Sequence, residues 1–366
     1  MTEAARRRGP RPLALHVACA EWAWRTRHAR QLNEFYRGIK AYRQHPYRRK
    51  FNQRPTVWQA GGCSLLDYGP KDGWPILVVP SMINRAYILD LMPGASLLDH
   101  LRDNGFRSFL LDWGGGMLLE RRLHLDKLIL ERMAPALDRV RRLSGKPPIV
   151  LGYCMGGTMA TALACLFEGG IAGLALLAAP WNFRREDCLG DSDLPGNHAF
   201  ASCIGSIGSA PIDILQAHFA RIDPMNVPSK FARFASMTPE SKAALRFVAI
   251  EDWLNDGVPL GAEVAAECFM DWYGNNAPAR GVWKVDGYAI RPDKLNLPVC
   301  LAIPERDQIV PPDSALALAD IIPGCHHIRP RAGHVGMVAG RHAEATLWNP
   351  LTQWLERIAA MQKNPW

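Results

Sequence analysis

A short apolar run, PIVL, breaks into Gly152-Tyr153-Cys154-Met155-Gly156-Gly157 and passes at once into the helix-forming stretch MATALACLFE. A strand that turns directly into a helix, with glycines on both sides of one residue, leaves few folds open. The turn residue must take a strained backbone, and strand and helix must approach so closely that a Cβ at the flanking positions would be in the way. The residue so presented is Cys154, at a helix N-terminus where negative charge is favoured. The pattern G-x-C-x-G predicts a nucleophile elbow with cysteine in place of the more common serine.

The rest of the chain fits such a turn. Short β-rich runs fall at 57–60, 63–68, 76–80, 108–112, 148–152, 173–178 and 298–303, and from ILVVP onward most are continuously apolar. Strands buried on both faces read this way, and helical stretches near 94–104, 127–144 and 154–168 separate them, so the expected fold is α/β with a mostly parallel sheet. The alternation stops at Pro180-Trp181 and resumes near Leu295. The expected division is therefore a basic arm with an amphipathic helix (1–55), a core (56–180 and 290–366) and an inserted cap (181–289). Open α/β sheets carry their sites at the C-terminal strand ends, where such a cap shapes access.

An elbow predicts an acid and then a base, each at the end of a later strand. Strand PVCLAI leads into Pro304-Glu305-Arg306-Asp307, and the strand around HHIRP leads into Gly333-His334-Val335-Gly336. The candidate triad is Cys154, Asp307 and His334. Glu305 is the competing carboxylate; Asp307 is preferred because a strand-end loop gives the role to the carboxylate whose turn points inward. His326 and His327 alternate along a strand, and His100, His124 and His342 sit on expected helices, so they read as surface or core histidines. The oxyanion hole needs two backbone N–H groups. One is Met155, after the nucleophile. The other falls in Pro80-Ser81-Met82-Ile83-Asn84, where counting from the strand end selects Met82, with Ile83 as the open alternative.

Charge sets the arm apart. Residues 1–55 hold 14 lysines and arginines against three acids, a net +11, while the other 311 residues sum to −3. Such an arm suits an anionic surface or an acidic partner, or is simply a solvated helix face. No finger, RNP or helix-turn-helix pattern accompanies it, so nucleic acid is not expected. The nine cysteines show no CxxC pair, which argues against a disulfide framework or a structural metal. The stretch RRR…LALHVACA imitates a secretory leader but is short and broken by His16, and the longest apolar run, Ile171 to Trp181, is well short of the roughly 20 residues of a spanning helix. The expectation is a cytoplasmic protein without a transmembrane segment.

Taken together, VVPSMINRAYILDLMPGASLLDHL, FLLDWG, VLGYCMGGTMA, ERDQIVPP and AGHVGMVAG resemble the polyhydroxyalkanoate synthases, from about Val57 to the C-terminus. The resemblance implies an α/β-hydrolase fold and the short catalytic subunit of the two-subunit type. It implies that a 3-hydroxyacyl group passes from coenzyme A to Cys154 and then to the hydroxyl of a growing polyester, with His334 as base and Asp307 assisting. No cofactor is implied beyond the coenzyme A thioester as substrate. The implied partners are the polyester chain, a second synthase subunit and the granule surface, with a homodimer open. Two departures stand out: Trp113 is followed by Gly114-Gly115-Gly116-Met117 rather than by Pro and an acid, and Gln308 replaces a histidine after Asp307. They bear on substrate choice and processivity. The competing readings are a synthase-like thiol hydrolase, depolymerase or small-alcohol acyltransferase, and a granule-associated binding protein with a vestigial site.

Overall fold

The computed structural model describes residues 7–25, 28–50, 53–115, 123–184, 202 and 204–363. They form two compact units, one made of Met1–Asn52, Leu91–Gly94 and Pro211–Gly257, the other of Gln53–Asp90, Ala95–Ala210 and Val258–Trp366.

The larger unit is built on eight strands: β1 (Thr56–Ala60), β2 (Cys63–Asp67), β3 (Trp74–Val79), β4 (Phe106–Asp112), β5 (Ile149–Tyr153), β6 (Gly173–Leu177), β7 (Val299–Ala302) and β8 (His326–Ile328). Their order across the sheet is β1-β2-β4-β3-β5-β6-β7-β8. β2 runs antiparallel to both its neighbours and every other pairing is parallel. The β1–β2 hairpin closes on Gly61 and Gly62, both at positive φ, as a two-residue turn between twisted strands requires. Ile76 to Val79, Ile149 to Leu151 and Leu174 to Leu177 are at most 1% exposed, which explains their unbroken apolar sequence: both faces of the central strands are covered.

The long helical pattern expected over 127–144 is divided. A π-helical turn at Leu128–Met133 precedes the regular helix Ala134–Ser144, which ends on Gly145 in the left-handed conformation. Pro135 has no N–H to give to the carbonyl four residues earlier, and the ladder shifts its phase there. Met155–Phe167 forms the helix after β5, and His334–Ala339 a short helix after β8.

The smaller unit overturns the boundaries read from the sequence. Residues 1–55 do not stand alone as an arm, and 181–289 does not stand alone as an insertion. Helices Leu13–Trp24 and Ala29–Gln44 share a core with Asn226–Phe234 and Lys242–Asn255, formed by Ala20, Phe35, Ile39, Tyr42, Phe231, Phe234 and Val248. Gly38 lets two helices touch: a Cβ there would lie 2.0 Å from the Phe231 carbonyl oxygen. Arg7 fastens the chain's beginning, giving two hydrogen bonds to Asp252 at 2.5 and 2.6 Å while Tyr42 Oη donates to the same carboxylate at 2.8 Å. The amphipathic face of Ala29–Gln44 is thus consumed by packing against residues nearly two hundred positions later, a pairing no local pattern carries.

Residues from Val258 onward belong to the larger unit. The Val258 N–H donates to the Ile83 carbonyl at 2.9 Å, just past β3, and Trp283 packs edge-on against Trp181, just past β6. This stretch therefore reaches the C-terminal ends of two central strands. Among the described residues no helix is long and apolar enough to cross a membrane, and no group of three or more His, Cys, Asp or Glu side chains is placed to hold a metal ion.

Candidate active site

Cys154 joins β5 to the following helix with φ 55° and ψ −130°, a conformation rarely taken by a residue with a side chain. Its N–H donates to the Leu177 carbonyl at 2.9 Å and its carbonyl accepts from Gly157 N–H at 2.8 Å, so the turn is held on both sides. The three glycines around it are required by contact. A Cβ on Gly152 would lie 2.5 Å from Gly157 Cα, one on Gly156 2.4 Å from the Val79 and Pro80 carbonyl oxygens, and one on Gly157 2.5 Å from Ala179 Cβ. Thr158 Oγ1 donates to the Pro180 carbonyl at 2.6 Å, tying the helix to the end of β6.

The loop after β7 places Asp307, 4% exposed, with one carboxylate oxygen accepting from Ile309 N–H and Val310 N–H, each at 2.9 Å. The other oxygen pairs with His334 Nδ1 at 2.6 Å. His334 opens its short helix directly after Gly333, and its ring lies close enough to Cys154 for that side chain to act on its ionisation. Asp307 and His334, scattered along the sequence, therefore meet in a buried pair, with the buried Cys154 near enough to the ring to bear on its charge. Burial works against a charged His334 ring. The negative charge that Cys154 can carry, the Asp307 carboxylate and the hydrogen bond to that carboxylate outweigh burial and hold the ring at about 10, far above an ordinary histidine.

The competing residues lie elsewhere. Glu305, its side chain 41% exposed, faces Arg331 at 3.8 Å. His124 pairs with Glu267, His327 Nε2 lies 3.1 Å from Cys325, His342 meets Arg341, and His100 meets Thr352. Of the two candidates after β3, Ile83 has its N–H directed at Ser81 Oγ at 3.4 Å, whereas Met82 is fully buried two residues after the Pro80 whose carbonyl crowds Gly156. The residues Gly116 and Met117 lie outside the described part of the chain.

Two contributors were not singled out from the sequence. Trp113 Nε1 donates to the Pro80 carbonyl at 3.1 Å, pinning the end of β3. Tyr153 donates from its hydroxyl to the His334 carbonyl at 3.3 Å. The tripeptide DWG was a visible signal for the first. Nothing local signalled the second, because a tyrosine ending a buried strand is an ordinary core residue.

Comparisons with known proteins agree with this fold. Residues 75–193 match the alpha/beta hydrolase fold family. Poly(3-hydroxyalkanoate) polymerase subunit PhaC of Haloferax mediterranei is 31% identical over 310 residues, covering 82% of this chain and 63% of the relative. The subunit of the same name from Synechocystis is 26% identical over 77% of each chain, and that of Allochromatium vinosum is 24% identical over 77% of this chain and 80% of the relative. The chain thus spans less than two thirds of the Haloferax protein. Among solved structures, an esterase from Exiguobacterium antarcticum superposes with a TM-score of 0.51 at 13% identity, covering 83% of this chain and 100% of that one. A monoacylglycerol lipase from Paleococcus ferrophilus gives 0.51 at 14% identity, covering 81% and 99%. At such identities these two speak for the fold alone.

Proposed function

We propose that this chain, similar to the poly(3-hydroxyalkanoate) polymerase subunits PhaC, is a polyhydroxyalkanoate synthase on the α/β-hydrolase fold that moves 3-hydroxyacyl groups from coenzyme A through Cys154 onto the hydroxyl end of a growing polyester. The observation that carries the reading is the buried His334 ring, hydrogen-bonded to Asp307 at 2.6 Å and with its ionisation raised by Cys154 and Asp307 together.

In the first half-reaction the proton already rests on the His334 ring and Cys154 attacks the thioester carbonyl as the thiolate paired with it. Charge collects on that oxygen, facing the N–H groups of Met155 and Met82. Collapse expels the coenzyme A thiolate, which leaves with the proton from His334. Exchange of one thioester for another is nearly isoenergetic, so the acyl-cysteine remains reactive toward an alcohol. In the second half-reaction His334 deprotonates the polyester hydroxyl, which attacks the acyl-cysteine and releases Cys154; the carboxylate of Asp307 orients the ring and stabilises its charged form. No cofactor enters either step.

The partners are proposed on surface chemistry. Arg37, Lys40 and Arg43 are exposed at spacings of three along Ala29–Gln44, while its other face is buried. That stripe suits an acidic second subunit or an anionic granule surface.

The test is release of coenzyme A from 3-hydroxybutyryl-coenzyme A with the product weighed as polymer and as free acid. Polymer with a Cys154-bound acyl group supports the proposal. Free acid alone marks a hydrolase, and no coenzyme A release marks a protein that only binds.

A further inference from the structure

We propose that Tyr153 is a positioning residue for the active-site histidine, holding the His334 ring at the angle from which it meets Cys154. The inference rests on the proposed role of His334. Tyr153 is the last residue of β5, immediately before Cys154, and is 2% exposed. Its hydroxyl donates to the His334 carbonyl at 3.3 Å, and its ring lies against the imidazole with centroids 5.2 Å apart and planes 32° apart.

These two contacts supply what Asp307 cannot. A carboxylate on Nδ1 fixes one end of an imidazole but leaves the ring free to swing about the Nδ1···Oδ2 line, and that swing moves Nε2 across the sulfur. A flat ring packed on the imidazole face restricts the swing. The hydroxyl meanwhile ties the His334 backbone to the residue covalently joined to the nucleophile, so nucleophile and base are referenced to the same turn. The hydroxyl is suited to remain a neutral donor: burial, and then the charges on Cys154 and Asp307, push its ionisation well above the ordinary range.

The experiment is alkylation of Cys154 by iodoacetamide, resolved by peptide mass spectrometry because Cys19, Cys165 and Cys325 are also partly exposed. Rates are measured over about pH 5 to 10, the range in which thiols and histidines titrate. Tyr153→Phe keeps the ring and loses the donor; the expected loss is roughly 3–10-fold in rate, the worth of one net hydrogen bond. Tyr153→Leu loses both contacts; it should alkylate at least roughly tenfold more slowly than Tyr153→Phe at neutral pH, with the rising limb displaced to higher pH, since misplacing a base is costly. Partial rescue by phenylalanine is the mark of positioning. A wild-type pH profile in Tyr153→Leu overturns the inference, with or without a drop in Tm, because packing alone alters stability and not the profile. His334→Gln separates the two readings: if it displaces the profile and Tyr153→Leu does not, only the role of Tyr153 fails, and if it leaves the profile unmoved, the role of His334 fails with it.

Discussion

Gly156 and Pro80 are in backbone contact: a Cβ on Gly156 would stand 2.4 Å from the Pro80 carbonyl oxygen, closer than real Cβ atoms come. The first turn of the helix after Cys154 is thereby pressed onto the end of β3, the segment that carries Met82. On the proposed reading, the absence of a side chain at Gly156 is what lets the amides of Met155 and Met82 serve one oxyanion hole. Gly156→Ala should push these elements apart, costing about 1–3 kcal/mol or more, as overpacking does. Denaturant unfolding measures it, and unchanged stability would mean the contact gives way freely.

Cys154→Ala should end acyl transfer with the fold intact, and Cys154→Ser should be very poor, since a hydroxyl needs much stronger base assistance than a thiol. The backbone adds a second expectation. Replacing a residue by glycine ordinarily costs about 0.5–1 kcal/mol more than replacing it by alanine. At φ 55° that order should vanish or reverse, because glycine alone escapes the strain. Melting temperatures of the two variants decide it, and a clearly less stable Cys154→Gly would count against strain at the elbow.

The folded protein holds the His334 proton up to about pH 10, whereas an unfolded chain releases it near 6.5. A group whose folded value is raised contributes stability that is complete below the unfolded value and is lost as pH climbs through the folded one. The stability advantage of wild type over His334→Gln should therefore shrink between about pH 6.5 and 10. Thermal unfolding across that window checks it, and an advantage that grows with pH would contradict the charged pairing.

Asp307→Asn keeps an oxygen for the Ile309 and Val310 amides but can turn an N–H₂ toward His334 Nδ1. The ring would then carry its proton on Nε2, where it cannot take one from Cys154. The expected loss is about 10²–10⁴-fold. A greater loss in chain growth than in single-turnover acylation would show that the acid also aids the attacking hydroxyl, and equal losses would restrict it to orienting the ring.

Arg7 is nearly buried and its partner Asp252 is 26% exposed. Arg7→Ala leaves that carboxylate to Tyr42 and should lower stability by about 1–3 kcal/mol, reduced from the value for a fully buried pair by the exposure. Deleting residues 1–30 removes Arg7 and the whole helix Leu13–Trp24, so it should destabilise the smaller unit as well as weaken salt-sensitive association with an anionic partner. Limited proteolysis of 211–257 reads the first effect and binding at two salt concentrations the second. A truncated chain as resistant as wild type would restore the picture of a separate arm.

Local periodicity and the stereochemistry of single turns made the sheet and the elbow legible in one dimension. Fully apolar runs separated by helical stretches sufficed for the parallel sheet, because strands covered on both faces cannot alternate. Gly152, Cys154 and Gly156 sufficed for the elbow, and chain order with strand ends led to Asp307 and His334. Contacts between residues far apart in the chain were settled only by the folded molecule. There Asp307, and not Glu305, turns its carboxylate to His334, and there Tyr153 proves to lie on that ring. The basic helices read as a free arm for the same reason. An amphipathic face announces that it will be covered, but Phe231 and Asp252, which cover it here, are chosen by shape and charge fit over long separations, and one-dimensional spacing holds no record of that fit.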